Sequence, residues 1–172
     1  MAQLQKLALA LLLILLGLHA GILFIMLIGV VPAIQRMPLE TYVATWQNLD
    51  HFMALRMPTF SIVMMLLYLL ALISFAKRWK AWIFSVLLIC FALNASEIAY
   101  TVTHQLAINH AVQALDPAHL ADIGLVEQMR NASVHNFRVR EWLSISSFAF
   151  LALASMLSIP TSQRIAGARS GQ

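Results

Sequence analysis

The sequence predicts an all-α, polytopic membrane protein: a bundle of four transmembrane helices with amphipathic surface helices on its outer side. Three observations carry this expectation. Hydrophobic residues make up 61% of the 172 and charged residues 10%, against roughly 25% charged in a soluble domain. The apolar residues are gathered into four long runs, and the cations stand at the ends of those runs. At 172 residues the chain forms a single domain, 1–172.

A helix needs about 20 apolar residues to cross roughly 30 Å of hydrocarbon. The first run extends from Leu7 to Ile34, near Pro32, and predicts a span over about 7–34. It is longer than required, so the helix tilts or projects from the bilayer. A secretory signal has an apolar stretch of only about 7–15 residues. Here the stretch continues past His19 without a small-residue cleavage site, so an uncleaved first span is expected. The second run, Phe60 to Phe75, predicts a span over about 58–76. The third is apolar from Trp82 to Leu93 and mixed to Leu115, a span over about 81–106. The fourth, Trp142 to Ile159 and closed by Pro160, predicts a span over about 139–160.

The second and third runs are joined only by Ala76, Lys77, Arg78, Trp79 and Lys80, which forces an antiparallel hairpin. The other two links are longer and amphipathic. In the first, Pro38 opens a helix that places Tyr42, Trp46, Leu49 and Met53 on one face. In the second, Asp116 and Pro117 read as an N-cap and first-turn proline. Both links are expected to lie on the membrane surface.

The N-terminus, the short link and the C-terminal tail carry Lys6, Lys77, Arg78, Lys80, Arg164 and Arg169, with no carboxylate. The opposite side carries Arg36, Arg56, Arg130, Arg138 and Arg140, together with Glu40, Asp50, Asp116, Asp122, Glu127 and Glu141. The positive-inside rule then places both termini in the cytoplasm, as for a bacterial inner-membrane protein. The net charge of +4 forms no basic stripe, which excludes nucleic acid as a partner. The single cysteine, Cys90, cannot support a thiol–disulfide relay. The partners expected are the bilayer and a lipophilic small molecule. Small residues at Gly17, Gly21, Ser144 and Ser147 permit close helix contacts, and with them a homo-oligomer.

Chemistry concentrates in the outer half of the third span. Asn94, Glu97, Thr101, His104, Gln105 and Asn109 follow at helical spacing and form one broad polar face. Such a face is costly against lipid, so it is expected to turn into the bundle. Glu97 is the only carboxylate deep inside a predicted span, with His104 as its expected partner and Arg138 or Arg140 as alternatives. The competing explanation is a structural carboxyl that glues helices together. His51, His104, His110, His119 and His135 all fall at the outer end. His104 or His135 can act as a base. Alternatively His51, Glu97, His104 and His135 would ligate a transition metal (copper, iron or zinc), although their spacing fits no short metal motif. A haem on His19 would need a second histidine at matching depth, and His104 lies farther outward. Arg138 and Arg140 can hold an anion, or form a collar beside Trp142 at the membrane interface.

The first span ends Gly21-Ile-Leu-Phe-Ile-Met-Leu-Ile-Gly-Val-Val-Pro32, and Trp46-Gln-Asn48 follows in the next helix. The third span ends Ala107-Ile-Asn109 and the fourth opens His135-Asn-Phe-Arg138-Val-Arg140. From about Gly17 to Ser158 this layout resembles the small four-helix membrane family that includes the fungal anthrone oxygenases. Members typically carry an Asn near the end of the third span and an Asn or His followed by Arg at the start of the fourth. Asn109, His135 or Asn136, and Arg138 or Arg140 match those positions, while a Trp expected before that Arg is absent. The resemblance implies an integral membrane oxidoreductase that oxidises an electron-rich, lipophilic aromatic substrate with O₂. In that scheme His104 or His135 would take a proton, Arg138 and Asn109 would stabilise the resulting anion, and Glu97 would be a further catalytic residue, with or without a metal. The alternatives are a metal- or haem-binding redox protein and a non-catalytic membrane subunit or carrier.

Overall fold

The computed structural model describes residues 2–78 and 80–157, excluding the side chains of Ala2 and Arg78. Pro160, Arg164, Arg169 and Trp79 therefore lie outside the described residues. The described residues form four long antiparallel rods. The first is α1 (Ala2–Ile25), a π-helical turn (Met26–Val30) and α2 (Val31–Arg36). The second is α3 (Leu39–Phe75), followed by a short turn, Ala76–Arg78. The third is α4 (Trp82–Tyr100), a second π turn (Thr101–Gln105) and α5 (Leu106–Gln113). The fourth is α6 (Ile123–Leu157).

Three rods are long and apolar enough to cross a membrane: Gln3–Arg36, Leu39–Phe75 and Trp82–Gln113. Their outward faces carry Ile14, Leu18, Ile28, Leu66, Ile73 and Ile89 in the open, which suits hydrocarbon and not water. α6 is not such a helix among the described residues. Arg138, Arg140 and Glu141 interrupt it, leaving only Trp142 to Leu157 apolar, short of the roughly 20 residues a crossing needs.

Neither long link forms a separate surface helix. Pro38 sits just outside α3, extended, and residues 39–57 run directly into the predicted second span. Pro58 lies inside this helix without ending it. The face bearing Tyr42, Trp46, Leu49 and Met53 packs inward: Tyr42 and Trp46 are buried, and Leu49 and Met53 line a cavity. The apolar stripe is therefore spent on the bundle instead of a membrane surface. In the second link Asp116 caps a turn by accepting from the Ala118 amide at 2.9 Å, which holds its carboxyl below the usual range. The helix itself starts later, where Asp122 accepts from the Leu125 amide at 2.9 Å, and it continues unbroken into the fourth predicted span.

The interior has two apolar tiers. The inner tier joins Leu12 and Leu16 of α1, Tyr68 and Ala71 of α3, Leu87 and Cys90 of α4, and Leu151 and Ala154 of α6. Tyr68, Asn94 and Ser147 tie three of these helices: Asn94 Nδ2 donates to Ser147 Oγ at 2.9 Å and to Tyr68 Oη at 3.2 Å. The Tyr68 and Ser147 hydroxyls pair at 2.9 Å. Gly17 lets α1 approach α6, since a Cβ there would stand 3.1 Å from the Phe148 ring. The outer tier gathers Ile34, Tyr42, Val43, Trp46, Val112, Val126 and Val134. Gln5 Nε2 donates to the Ser74 carbonyl at 2.7 Å, so the start of α1 stands beside the short hairpin at the inner end.

Candidate functional site

A polar layer separates the two tiers. Glu97, on α4, is 2% exposed and accepts from Arg140 Nε of α6 at 2.7 Å. Thr101 Oγ1, one turn along, shares its proton between the Glu97 carbonyl at 2.9 Å and Glu97 Oε1 at 3.1 Å. His19 of α1, 1% exposed, brings Nε2 to 3.4 Å from Glu97 Oε2. Its ring stacks on Phe60 at 5.8 Å, and neither ring nitrogen has a hydrogen-bond partner among the described residues. The Arg140 guanidinium also lies over the Phe137 ring at 5.2 Å. A buried carboxylate is tolerable only when charge and hydrogen bonds compensate it; Arg140 supplies both and Thr101 a further hydrogen bond.

This trio closes one part of a cavity of about 370 Å³. Ile22, Leu23, Met53, Met57 and Ile98 furnish apolar wall. A second polar group closes another part. Asn109 Oδ1 accepts from Trp46 Nε1 at 3.1 Å and from Gln105 Nε2 at 2.8 Å, while its Nδ2 donates to Asp50 Oδ1 at 2.6 Å. Gln105 Oε1 is buried without a partner. Three buried polar atoms of the lining residues, both ring nitrogens of His19 and Gln105 Oε1, have no hydrogen-bond partner among the described residues, which leaves them open to a polar ligand group. Both π turns border the cavity, through Met26 in one and Thr101, Val102 and Gln105 in the other. Single π turns within α-helices are common at functional sites.

Of the residues singled out from the sequence, Glu97 and Asn109 line the cavity. His104, His135, His51 and Arg138 are exposed and do not, so the expected cluster of imidazoles around Glu97 is not formed. His104 instead takes Thr103 as a hydrogen-bond partner at 2.7 Å and stacks on Tyr100 at 4.3 Å. The cause is the π turn. A five-residue turn inserts one residue, so the inward face continues from Glu97 and Thr101 to Gln105 and Asn109, and His104 rotates outward. Glu97 pairs with Arg140, one of the alternatives, and not with His104. Among the described residues no three His, Cys, Asp or Glu side chains converge as a metal would require, and His51, Glu97, His104 and His135 stay apart. The haem geometry fails as well, because His104 does not face His19.

Sequence reasoning passed over His19 as a partner for Glu97. The signal was present as a count of depth. Both helices run outward from the inner end; His19 lies 12 residues from Leu7 and Glu97 lies 15 from Trp82. At 1.5 Å per residue those are about 18 and about 22 Å, nearly the same level. No family model matches the sequence, and neither a characterised protein nor a solved structure is similar to it.

Proposed function

We propose that this protein is an integral membrane oxidoreductase that holds a lipophilic aromatic molecule in the cavity and oxidises it with O₂, as the resemblance to the anthrone oxygenases implies. The observation that carries the reading is the buried His19–Glu97–Arg140 chain standing at an otherwise largely apolar cavity, within helices fit to span a bilayer. Neutral His19 takes a proton from an activated CH₂ or phenol of the substrate. The Glu97 carboxylate stabilises the imidazolium, and Arg140 orients Glu97. Gln105 Oε1 accepts from a substrate hydroxyl, and Asn109 offers the Nδ2 hydrogen that it does not give to Asp50 to a substrate oxygen. The electron-rich anion then passes electrons to O₂; a CH₂ group plus O₂ yields a carbonyl and water. His19 thus takes the part that the sequence suggested for His104 or His135, while Arg140 acts on Glu97 and not on the substrate anion as suggested for Arg138.

We also propose that α6 crosses the membrane with the other three rods, giving four spans with both termini cytoplasmic in a bacterial inner membrane. Support comes from its packing: Ser144, Ser147, Leu151 and Ala154 bury against α1 and α4, while Phe150, Leu153 and Met156 face outward. The test is oxygen consumption by protein reconstituted in vesicles with an anthrone as substrate. One O₂ per anthrone is expected, with loss of rate but not of binding in His19→Ala. Saturable anthrone binding with no oxygen uptake would instead favour a carrier, a reading to which the largely apolar wall also lends itself.

A further inference from the structure

The cavity reaches the surface of the bundle sideways. Six residues line it and also contribute to the outer face: Ala54, Pro58 and Ile62 on α3, and Ile98, Val102 and Leu106 on α4 to α5. All six are apolar; Ile98 is half-buried and the other five are exposed. The two rods are sealed to each other on either side of this gap. Toward the inner end, Ala71 and Phe75 belong to the same packed tier as Ile83 and Leu87. Toward the outer end, Gln47 Nε2 donates to the carbonyls of Val112 and Leu115 at 3.0 and 2.8 Å. Gln113 Nε2 returns a bond to the Gln47 carbonyl at 3.0 Å. The gap is therefore a window, framed on all sides.

Each frame carries a helix irregularity at the height of the window. Pro58 has no N–H to offer the carbonyl of Ala54, and the π turn Thr101–Gln105 widens the facing helix. We infer that a molecule dissolved among the acyl chains enters the site laterally through this window, without passing through water. The inference rests on the cavity being a ligand site, and it restricts the ligand to uncharged lipophiles, since an ion pays heavily to approach from hydrocarbon. The polar trio and the Asn109 group then meet the ligand's few oxygens only once it is inside.

Trp46 reports on the cavity, because it lines it yet is only 3% exposed. The experiment uses full-length protein with Trp79, Trp82 and Trp142 changed to Phe, reconstituted in phosphatidylcholine vesicles with brominated acyl chains. Expected is strong quenching of Trp46 by the brominated chains and weak quenching by acrylamide in the water. Ala54→Phe with Val102→Phe should block the window and relieve the brominated-chain quenching severalfold. Ile62→Ala with Leu106→Ala should widen it and increase the quenching, which keeps the test intact if the first pair fails to fold. Quenching that neither pair alters, or quenching by acrylamide exceeding that by the lipid, overturns the inference. Window-dependent quenching together with no anthrone oxidation would leave the window standing and remove the oxygenase reading alone.

Discussion

Glu97 and Arg140 are each too costly to bury singly, so removing one partner should be worse than removing both. Glu97→Gln is expected to lower stability by about 3 kcal/mol, as is Arg140→Met, because each strands the other charge in an apolar interior. The double substitution should recover most of that loss. Thermal unfolding of the purified protein in detergent measures all three, and strict additivity would contradict the pairing. Ser147 makes a smaller but separable contribution. Ser147→Ala withdraws the shared partner of Tyr68 and Asn94 and should cost about 1 kcal/mol, the usual scale for interhelical hydrogen bonds in membranes. Glu97 was legible from the sequence as an intramembrane acid. Its partners were not, because His19 and Arg140 stand 78 and 43 positions away in the chain, and periodicity along one helix carries no record of its neighbours.

At the scale of the element, the π turn in the third rod decides which polar residues face inward. Its extra residue can be removed without changing the face beyond it. Deleting Thr103 should therefore leave a regular α-helix that still presents Gln105 and Asn109 to the cavity, with stability close to that of the intact chain. Inserting one Ala after Gln105 should rotate Asn109 and Val112 by about 100° away from Trp46 and Asp50 and loosen the outer tier. Trp46 emission and thermal unfolding distinguish the two; equal tolerance of both changes would refute this account of the helix. The sequence does not announce such a turn. No proline or glycine marks Thr101–Gln105, so a uniform 3.6-residue period misplaces His104 while placing Glu97 correctly.

For the molecule as a whole, the inner end gathers the start of α1, the hairpin after α3 and the described end of α6, and the outer end gathers the turn between α5 and α6. Labelling by a membrane-impermeant thiol reagent in a Cys90→Ala background tests the proposed topology. Asp116→Cys should label in intact cells, and Lys80→Cys only after permeabilisation. Labelling of both from one side would mean that the rod between them does not cross the membrane. The two positions flank only α4 and α5, so this result bears directly on the third span.

The sequence by itself determined the class, the apolar rods, the tight hairpin and the acid at the middle of the third rod, because burial in hydrocarbon imposes composition over whole segments. It placed the long links on a membrane surface because an amphipathic stripe looks the same whether it faces lipid headgroups or sister helices. Only the tertiary structure decided that this stripe turns inward, that His19 and Arg140 meet Glu97, and that the outer histidines stand apart. Those outcomes depend on helix rotation and relative depth, set by packing between segments far apart in the chain.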